Sequence, residues 1–303
     1  MRSAFVGDVV IGRPILAALR DHGDLVLTVT SGERHRSAAQ DLGLPTLEVS
    51  ALNRADVVDE LGDLGIDLIV NFNSTVRFSS RLLDCPRIGS INFHPGLLPD
   101  YGGLNVHQWA ILNGEMTTGV TIHVMTSVID AGDILARSNV HIGDNETGLT
   151  LLMKLLRDGA RLIPEVLNRV AENGFESATP QTGMVGHFYR RTDRPDGRIE
   201  FARSGMDVRR FVRALSYRPM ASPLGTPRVV GPAGELEVIA VAVRNEGVDV
   251  TARPGEVLAM ERNRLEVACL DGIVSIDKVY GCGSSSDLGE AARLIGIEVG
   301  AML

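Results

Sequence analysis

Over its first ninety-odd residues the chain alternates between short runs of β-forming apolar residues and segments whose apolar positions recur with a helical period. That alternation leaves few architectures open. Ser3 to Val6 reads as a strand, and a periodic segment near Pro14 to Leu19 stops at Gly23. The pattern returns through Leu25 to Val29, Arg34 to Leu42, Ala55 to Leu64, Asp67 to Phe72 and Ile88 to Phe93. It predicts an α/β fold in which a doubly wound, Rossmann-like parallel sheet is covered by helices. The turn after the first strand, GDVVIGRP, lacks the G-x-G-x-x-G spacing of a dinucleotide fingerprint, so Gly7 and Gly12 are read as turn residues.

At 303 residues the chain exceeds what one core usually absorbs. A long helical stretch from Thr147 to Asn173 is followed by loop-like, Arg-rich sequence, a short helical pattern at Asp207 to Leu215, and the Pro-rich SYRPMASPLGTP. Strand-like runs then appear at Leu236 to Val243, Arg264 to Cys269 and Ile273 to Val279. The expectation is a larger α/β domain over residues 1–202 and a smaller β-rich, OB-like barrel over residues 203–303.

No apolar run approaches the roughly 18 to 20 residues needed to span a bilayer, and the N-terminus lacks the apolar core of a signal peptide. The expectation is a cytoplasmic chain without a membrane span. Cys85, Cys269 and Cys282 are odd in number and unrelated in spacing, which predicts free thiols and neither a disulfide framework nor a zinc site. A net charge of −8 opposes a large nucleic-acid surface. One local exception is residues 190–228, where ten Arg face four acidic residues, a segment suited either to a solvated face or to an anion.

The chemistry concentrates in INFHPGLLPDYGG, residues 91–103. On a strand, residues i and i+2 share a face, so Asn92 and His94 point together while Phe93 points into the core. Pro95 and Gly96 end that strand, and doubly wound sheets bind ligands beyond the carboxyl ends of their strands. A second polar cluster, Ile129-Asp130-Ala131-Gly132-Asp133, follows a β run from Gly119 to Met125. An amide, an imidazole and a carboxylate together suit acyl transfer, although polar residues at strand ends also cap turns.

The sequence NFHPGLLPDYGG, followed in order by WAILNGE, TGVTIH and IDAGDI, resembles the formyltransferases that use 10-formyltetrahydrofolate, in the branch of methionyl-tRNA and lipid A aminoarabinose formyltransferases. The resemblance is strong to about residue 200. GHFYRRTDRPDGRIEF and DVRRFVRAL then resemble the join to that family's C-terminal barrel. It implies 10-formyltetrahydrofolate as co-substrate, no metal, and Asn92, His94 and Asp130 as the catalytic set. It also implies folate contacts at Phe72, Asn73 and Ser74, at Gly96, Leu97 and Leu98, and at Val128 and Ile129 beside Asp130. Gly96 stands where the family usually has the Ser of Ser-Leu-Leu-Pro.

The acceptor is read from TVTSGERHRSAAQDLGLP, which lacks the longer basic insertion by which methionyl-tRNA formyltransferases reach the acceptor stem. With the acidic balance, this favours a small-molecule amine over nucleic acid. A nucleotide-linked amino sugar is the first choice, and hydroxyornithine or another amino acid derivative the next. Methionyl-tRNA, a folate-binding module without catalysis and a hydrolase of the same cofactor complete the alternatives, and the chain leaves room for a homo-oligomer. His107 and Gln108 are read as surface helix positions, His123 as a packed histidine, and Gly281 to Ser286 as a turn that does not fit a P-loop.

Overall fold

The computed structural model describes residues 1–182, 186–244, 251–280 and 287–303; Cys282 and the Gly281 to Ser286 turn lie outside the described residues. The expected alternation is present as β1 (Arg2–Gly7), α1 (Arg13–Asp21), β2 (Asp24–Thr30), α2 (Glu33–Asp41), β3 (Thr46–Glu48), α3 (Ala55–Asp63), β4 (Leu68–Phe72), α4 (Ser80–Leu83) and β5 (Gly89–His94). In α1 a proline opens the first turn and Ile15, Leu16, Ala18 and Leu19 form the buried stripe, which is the spacing that read as helical. All five residues of β4 are buried, as a central strand covered on both faces requires.

After β5 the chain forms β6 (Tyr101–Gly103), α5 (Val106–Leu112), β7 (Thr117–Val124), β8 (Ile134–His141), α6 (Gly148–Asn173) and β9 (His187–Tyr189). The large sheet has the order β3-β2-β1-β4-β5-β7-β8. Pairing is parallel from β3 through β5, and β7 then runs antiparallel to β5. The sequence alternation does not anticipate that reversal. The connection between β5 and β7, residues 95–116, is long enough for a crossover but holds only the short β6 and α5 and no long crossover helix.

The chain separates into two compact units, one comprising Met1–Leu104, Thr118–Val140 and Met153–Tyr189, the other Asn105–Thr117, His141–Leu152 and Arg190–Leu303. In the first, Phe72 packs between Phe5 and Phe93, with ring centroids 6.3 and 4.7 Å away. A Cβ added at Gly159, in α6, would lie 1.9 Å from Phe93 Cε2. Glycine there lets the helix backbone settle directly on the ring that underlies Asn92 and His94. Gly159→Ala is expected to destabilise the protein by about 1–3 kcal/mol through overpacking. A denaturant midpoint unchanged from wild type would count against that packing.

The second unit contains α7 (Gly205–Leu215), β10 (Arg228–Gly231), β11 (Gly234–Arg244), β12 (Val257–Glu261), β13 (Arg264–Cys269), β14 (Gly272–Tyr280) and α8 (Leu288–Leu294). Its strands form an antiparallel sheet of order β10-β11-β14-β13-β12, the half-barrel form of the expected β-rich domain. Ser204 caps α7 by accepting from the Asp207 amide, and Val208 and Val212 of that helix join Val238, Val267 and Val274 in the core. His107 and Gln108 on α5 are buried, not on the surface as their polarity suggested. His107 Nε2 lies 2.8 Å from the Tyr217 hydroxyl, and Gln108 donates to the Ala214 carbonyl at 2.8 Å and the Ser222 hydroxyl at 3.0 Å. These bonds satisfy His107 Nε2 and the Gln108 amide nitrogen, which burial would otherwise penalise.

Candidate active site

Strand register builds the site. Asn92 on β5 is directly opposite Asn71 on β4 and His123 on β7, so three polar side chains stand in a row on one face of the sheet. Asn71 Nδ2 donates to Asn92 Oδ1 at 2.8 Å and reaches the Ser74 carbonyl at 3.3 Å. Asn92 Nδ2 lies 3.1 Å from His123 Nε2, while His123 Nδ1 lies 2.9 Å from the Val124 carbonyl. A carbonyl only accepts, so Nδ1 carries the His123 proton and Nε2 accepts from the amide. The row therefore has one polarity: Asn71 donates to Asn92, and Asn92 donates to His123. The second N–H of Asn92 is left for a ligand.

His94 stands two residues further along the same face. Its Nε2 donates to the Tyr101 carbonyl at 2.6 Å, which leaves Nδ1 bare and 3.6 Å from Asp130 Oδ2. Asp130 comes from the loop after β7, where its backbone is left-handed, with φ 56°. Its Oδ2 accepts from the Gly103 amide at 2.8 Å, and its Oδ1 lies 3.6 Å from His123 Nε2. Gln181 fixes the same loop by donating to the Asp130 and Gly132 carbonyls at 2.9 and 2.7 Å. Asp130, more than thirty residues beyond the neighbouring pair Asn92 and His94, is thus brought to His94, and Asn71 and His123 join the same cluster.

Burial pushes the His94 ring below the ordinary imidazole range, outweighing the pull of Asp130 and the Tyr101 carbonyl in the other direction. Burial would raise the Asp130 carboxyl, but His94, His123 and the Gly103 amide together hold it below its usual value. At neutral pH the pair is a neutral imidazole with a bare Nδ1 facing a carboxylate. Such an arrangement can accept one proton and stabilise the cation that results.

The other positions singled out by the sequence fall around this centre in different ways. Phe72 is fully buried in the aromatic core and its carbonyl accepts from the Asp8 amide at 3.4 Å, so its side chain offers a ligand nothing. Asn73 takes a left-handed conformation, φ 51°, and with Ser74 borders a cavity. Thr121 Oγ1 donates to the Gly96 carbonyl at 2.8 Å and accepts from the Leu98 amide at 3.1 Å, so the turn through Gly96, Leu97 and Leu98 is held by a hydroxyl from the neighbouring strand. Leu98 is buried. Val128 and Ile129, 64% and 50% exposed, present apolar surface beside Asp130.

The Arg-rich segment is largely committed within its own unit. Arg203, Arg210, Arg218 and Arg228 pair with Glu200, Asp207, Glu237 and Glu235, and Arg209 and Arg213 donate to carbonyls of residues 143–146. Arg191, Arg194 and Arg198 remain exposed, with no guanidinium bond among the described residues. No group of side chains among the described residues could hold a metal ion, and no described helix is long and apolar enough to cross a membrane.

The formyl transferase family pattern matches residues 21–167, and the formyl transferase C-terminal domain pattern matches residues 191–285. Methionyl-tRNA formyltransferase of Macrococcus caseolyticus is 30% identical over 97% of this chain and 97% of its own. Among solved structures, an N-formyltransferase from Helicobacter canadensis in complex with folinic acid and dTDP-3-aminofucose superposes with a TM-score of 0.69 at 17% identity, covering 92% of this chain and 99% of that one. HypX from Aquifex aeolicus, in complex with tetrahydrofolic acid, superposes with a TM-score of 0.63 at 20% identity, covering 98% of this chain and 47% of that one.

Proposed function

The chain belongs to the formyl transferase family, and from that premise we propose that it carries the formyl group of 10-formyltetrahydrofolate to the amino group of a small metabolite, first a nucleotide-linked amino sugar. The folate co-substrate accords with the relatives solved with folinic or tetrahydrofolic acid. Val128 and Ile129, together with the turn at Asn73 and Ser74, are the residues we assign to holding it.

In this reading the acceptor amine attacks the formyl carbon, and the free N–H of Asn92 donates to the carbonyl oxygen as it gains charge. His94 takes the proton that the amine nitrogen loses on forming its new C–N bond. Asp130 stabilises the imidazolium. His94 then returns the proton to N10 as the old C–N10 bond breaks, leaving a formamide and tetrahydrofolate, with His94 neutral again. His94 accepts one proton and returns one, so the cycle closes without a metal or any oxidant.

The observation that carries the acceptor class is the join between β2 and α2. Only Ser31 and Gly32 separate Thr30 from Glu33, so there is no insertion to follow a nucleic-acid backbone, and the chain carries −8. Methionyl-tRNA is the second reading, favoured by the 30% identical relative. The test offers methionyl-tRNA, a panel of nucleotide-linked amino sugars and hydroxyornithine, each with 10-formyltetrahydrofolate at two salt concentrations. Amino-sugar formylation with a weak salt response is expected, because few phosphates are neutralised. Efficient, steeply salt-sensitive formylation of methionyl-tRNA would replace the proposal, and formate release without an amine would make the enzyme a hydrolase.

A further inference from the structure

Asp130 sits in a turn that needs to be held. Its φ of 56° is a left-handed conformation that few residues other than Gly, Asn and Asp adopt. Two residues on, Gly132 packs so close to the end of β7 that a Cβ there would lie 1.8 Å from the Val124 carbonyl oxygen. The Asp133 carbonyl accepts from the Val124 amide at 2.9 Å, which closes the turn onto that strand. So tight a turn aims two carbonyls, those of Asp130 and Gly132, at one point. Gln181 Nε2 stands at that point, 2.9 Å from the first oxygen and 2.7 Å from the second.

Two carbonyl oxygens that converge in this way repel each other unless a donor stands between them, and that donor must supply two hydrogens. A side-chain amide does so without charge. An ammonium or guanidinium would make the same bonds but set a cation beside Asp130, where it would compete with the imidazolium for the carboxylate. Gln181 is itself placed from elsewhere. Two residues before it, Thr179 exchanges backbone hydrogen bonds with Ile134, both at 2.8 Å, so the chain that leaves α6 is fastened to the start of β8 just beyond the turn. The Gly103 amide holds the carboxylate from the front, and Gln181 holds the main chain that carries it.

We propose that Gln181 is a positioning residue for the reaction, holding the left-handed turn that keeps the Asp130 carboxylate 3.6 Å from His94 Nδ1. The inference rests on the acid–base roles proposed above and goes beyond them by assigning their spacing to a side chain that acts through main-chain carbonyls. Among the described residues the titratable groups that act on His94 are Asp130, from the turn, and His123, from β7; Gln181 bonds to the main chain of the first. Its influence on His94 therefore runs through Asp130.

The experiment follows the His94 ring by NMR as pH is varied, in the full chain without substrate, for wild type, Gln181→Met, Asp130→Asn and the double variant. Methionine keeps the length of glutamine and removes both N–H donors. Gln181→Met is expected to lower the His94 midpoint by about half a pH unit or more, toward the Asp130→Asn value, because the carboxylate that pulls it upward is no longer held in place. In the Asp130→Asn background the same substitution should move it no further, the coupling that an action through Asp130 requires. Should Gln181→Met not fold, Gln181→Asn, too short to reach both carbonyls, is expected to shift the midpoint in the same direction. An unmoved midpoint in the folded variant, or an equal displacement in both backgrounds, overturns the proposal. Turnover with the acceptor found in the panel should fall about tenfold or more in Gln181→Met, as displaced catalytic groups cost, and should not fall further when it is added to Asp130→Asn. A titration that behaves as expected, with no formylation of any acceptor, would keep the positioning role and remove the proposed reaction. Formylation with a titration that fails would do the reverse.

Discussion

His94→Ala protein will be folded and will turn over at least about a hundredfold more slowly than wild type, the loss expected when a positioned general base is removed. The loss should not be recovered by raising the acceptor concentration, because the missing step is proton transfer. The pH profile supplies an independent check. Burial depresses the His94 ring while Asp130 pulls it upward, so the enzyme group responsible for the acid limb of kcat/KM should titrate below 6.5. Activity is then present above that limb and lost as pH falls through it. Asp130→Asn removes the upward pull, so the limb should move further down in pH even as the maximal rate drops. A limb that rises in Asp130→Asn, or near-normal turnover in His94→Ala, would take the base role away from His94.

Asn71→Asp will cost nearly as much, about a hundredfold in kcat, although Asn71 is a positioning residue that need not touch substrate. Asn71 donates to Asn92 Oδ1, and that bond keeps the Asn92 amide nitrogen turned toward His123 and the reacting centre. An aspartate of the same shape can only accept. It would repel Oδ1 and draw Nδ2 to itself, so the Asn92 amide turns over and presents oxygen where the developing oxyanion needs a donor. Losing one such donor typically costs about 10² to 10³ in rate. The inverted amide would also face His123 Nε2 with an acceptor instead of a donor, so the Nε2 resonance of His123 should move between wild type and variant in nitrogen NMR spectra. A purely structural role for Asn71 predicts a stability loss without that shift. An Asn92 amide still donating to His123 in a crystal structure of the variant would dispose of the argument.

The difference between what could and could not be read from the sequence follows the range of the interactions. Strand and helix alternation through β5 is encoded locally, in apolar spacing and in punctuation such as Pro14 and Gly23, and it was legible. So was the common face of Asn92 and His94, because period two on a strand needs no partner. His123 looked like an ordinary packed histidine because its meaning depends on being opposite Asn92, and register across strands separated by some thirty residues is not written in either strand alone. Asn71 was hidden in the same way, inside a run that is otherwise apolar. The burial of His107 and Gln108 depends on partners more than a hundred residues away.

The short strand β6 has a further consequence. Backbone groups of alternate residues leave a strand on opposite edges: Leu104, after β6, donates to the Tyr189 carbonyl toward β9, whereas the Tyr101 carbonyl and the Gly103 amide face the other way and receive His94 and Asp130. The imidazole and the carboxylate thus occupy rungs that another strand would fill. Gly103 is constrained in identity, since its φ is +93° and a Cβ would lie 2.2 Å from the Tyr189 carbonyl oxygen. The spacing between acid and base is therefore gauged by main chain, a ruler that is the same whichever side chains hang from it. A substitution at Tyr101 that keeps the backbone in place leaves the spacing of His94 and Asp130 as it is.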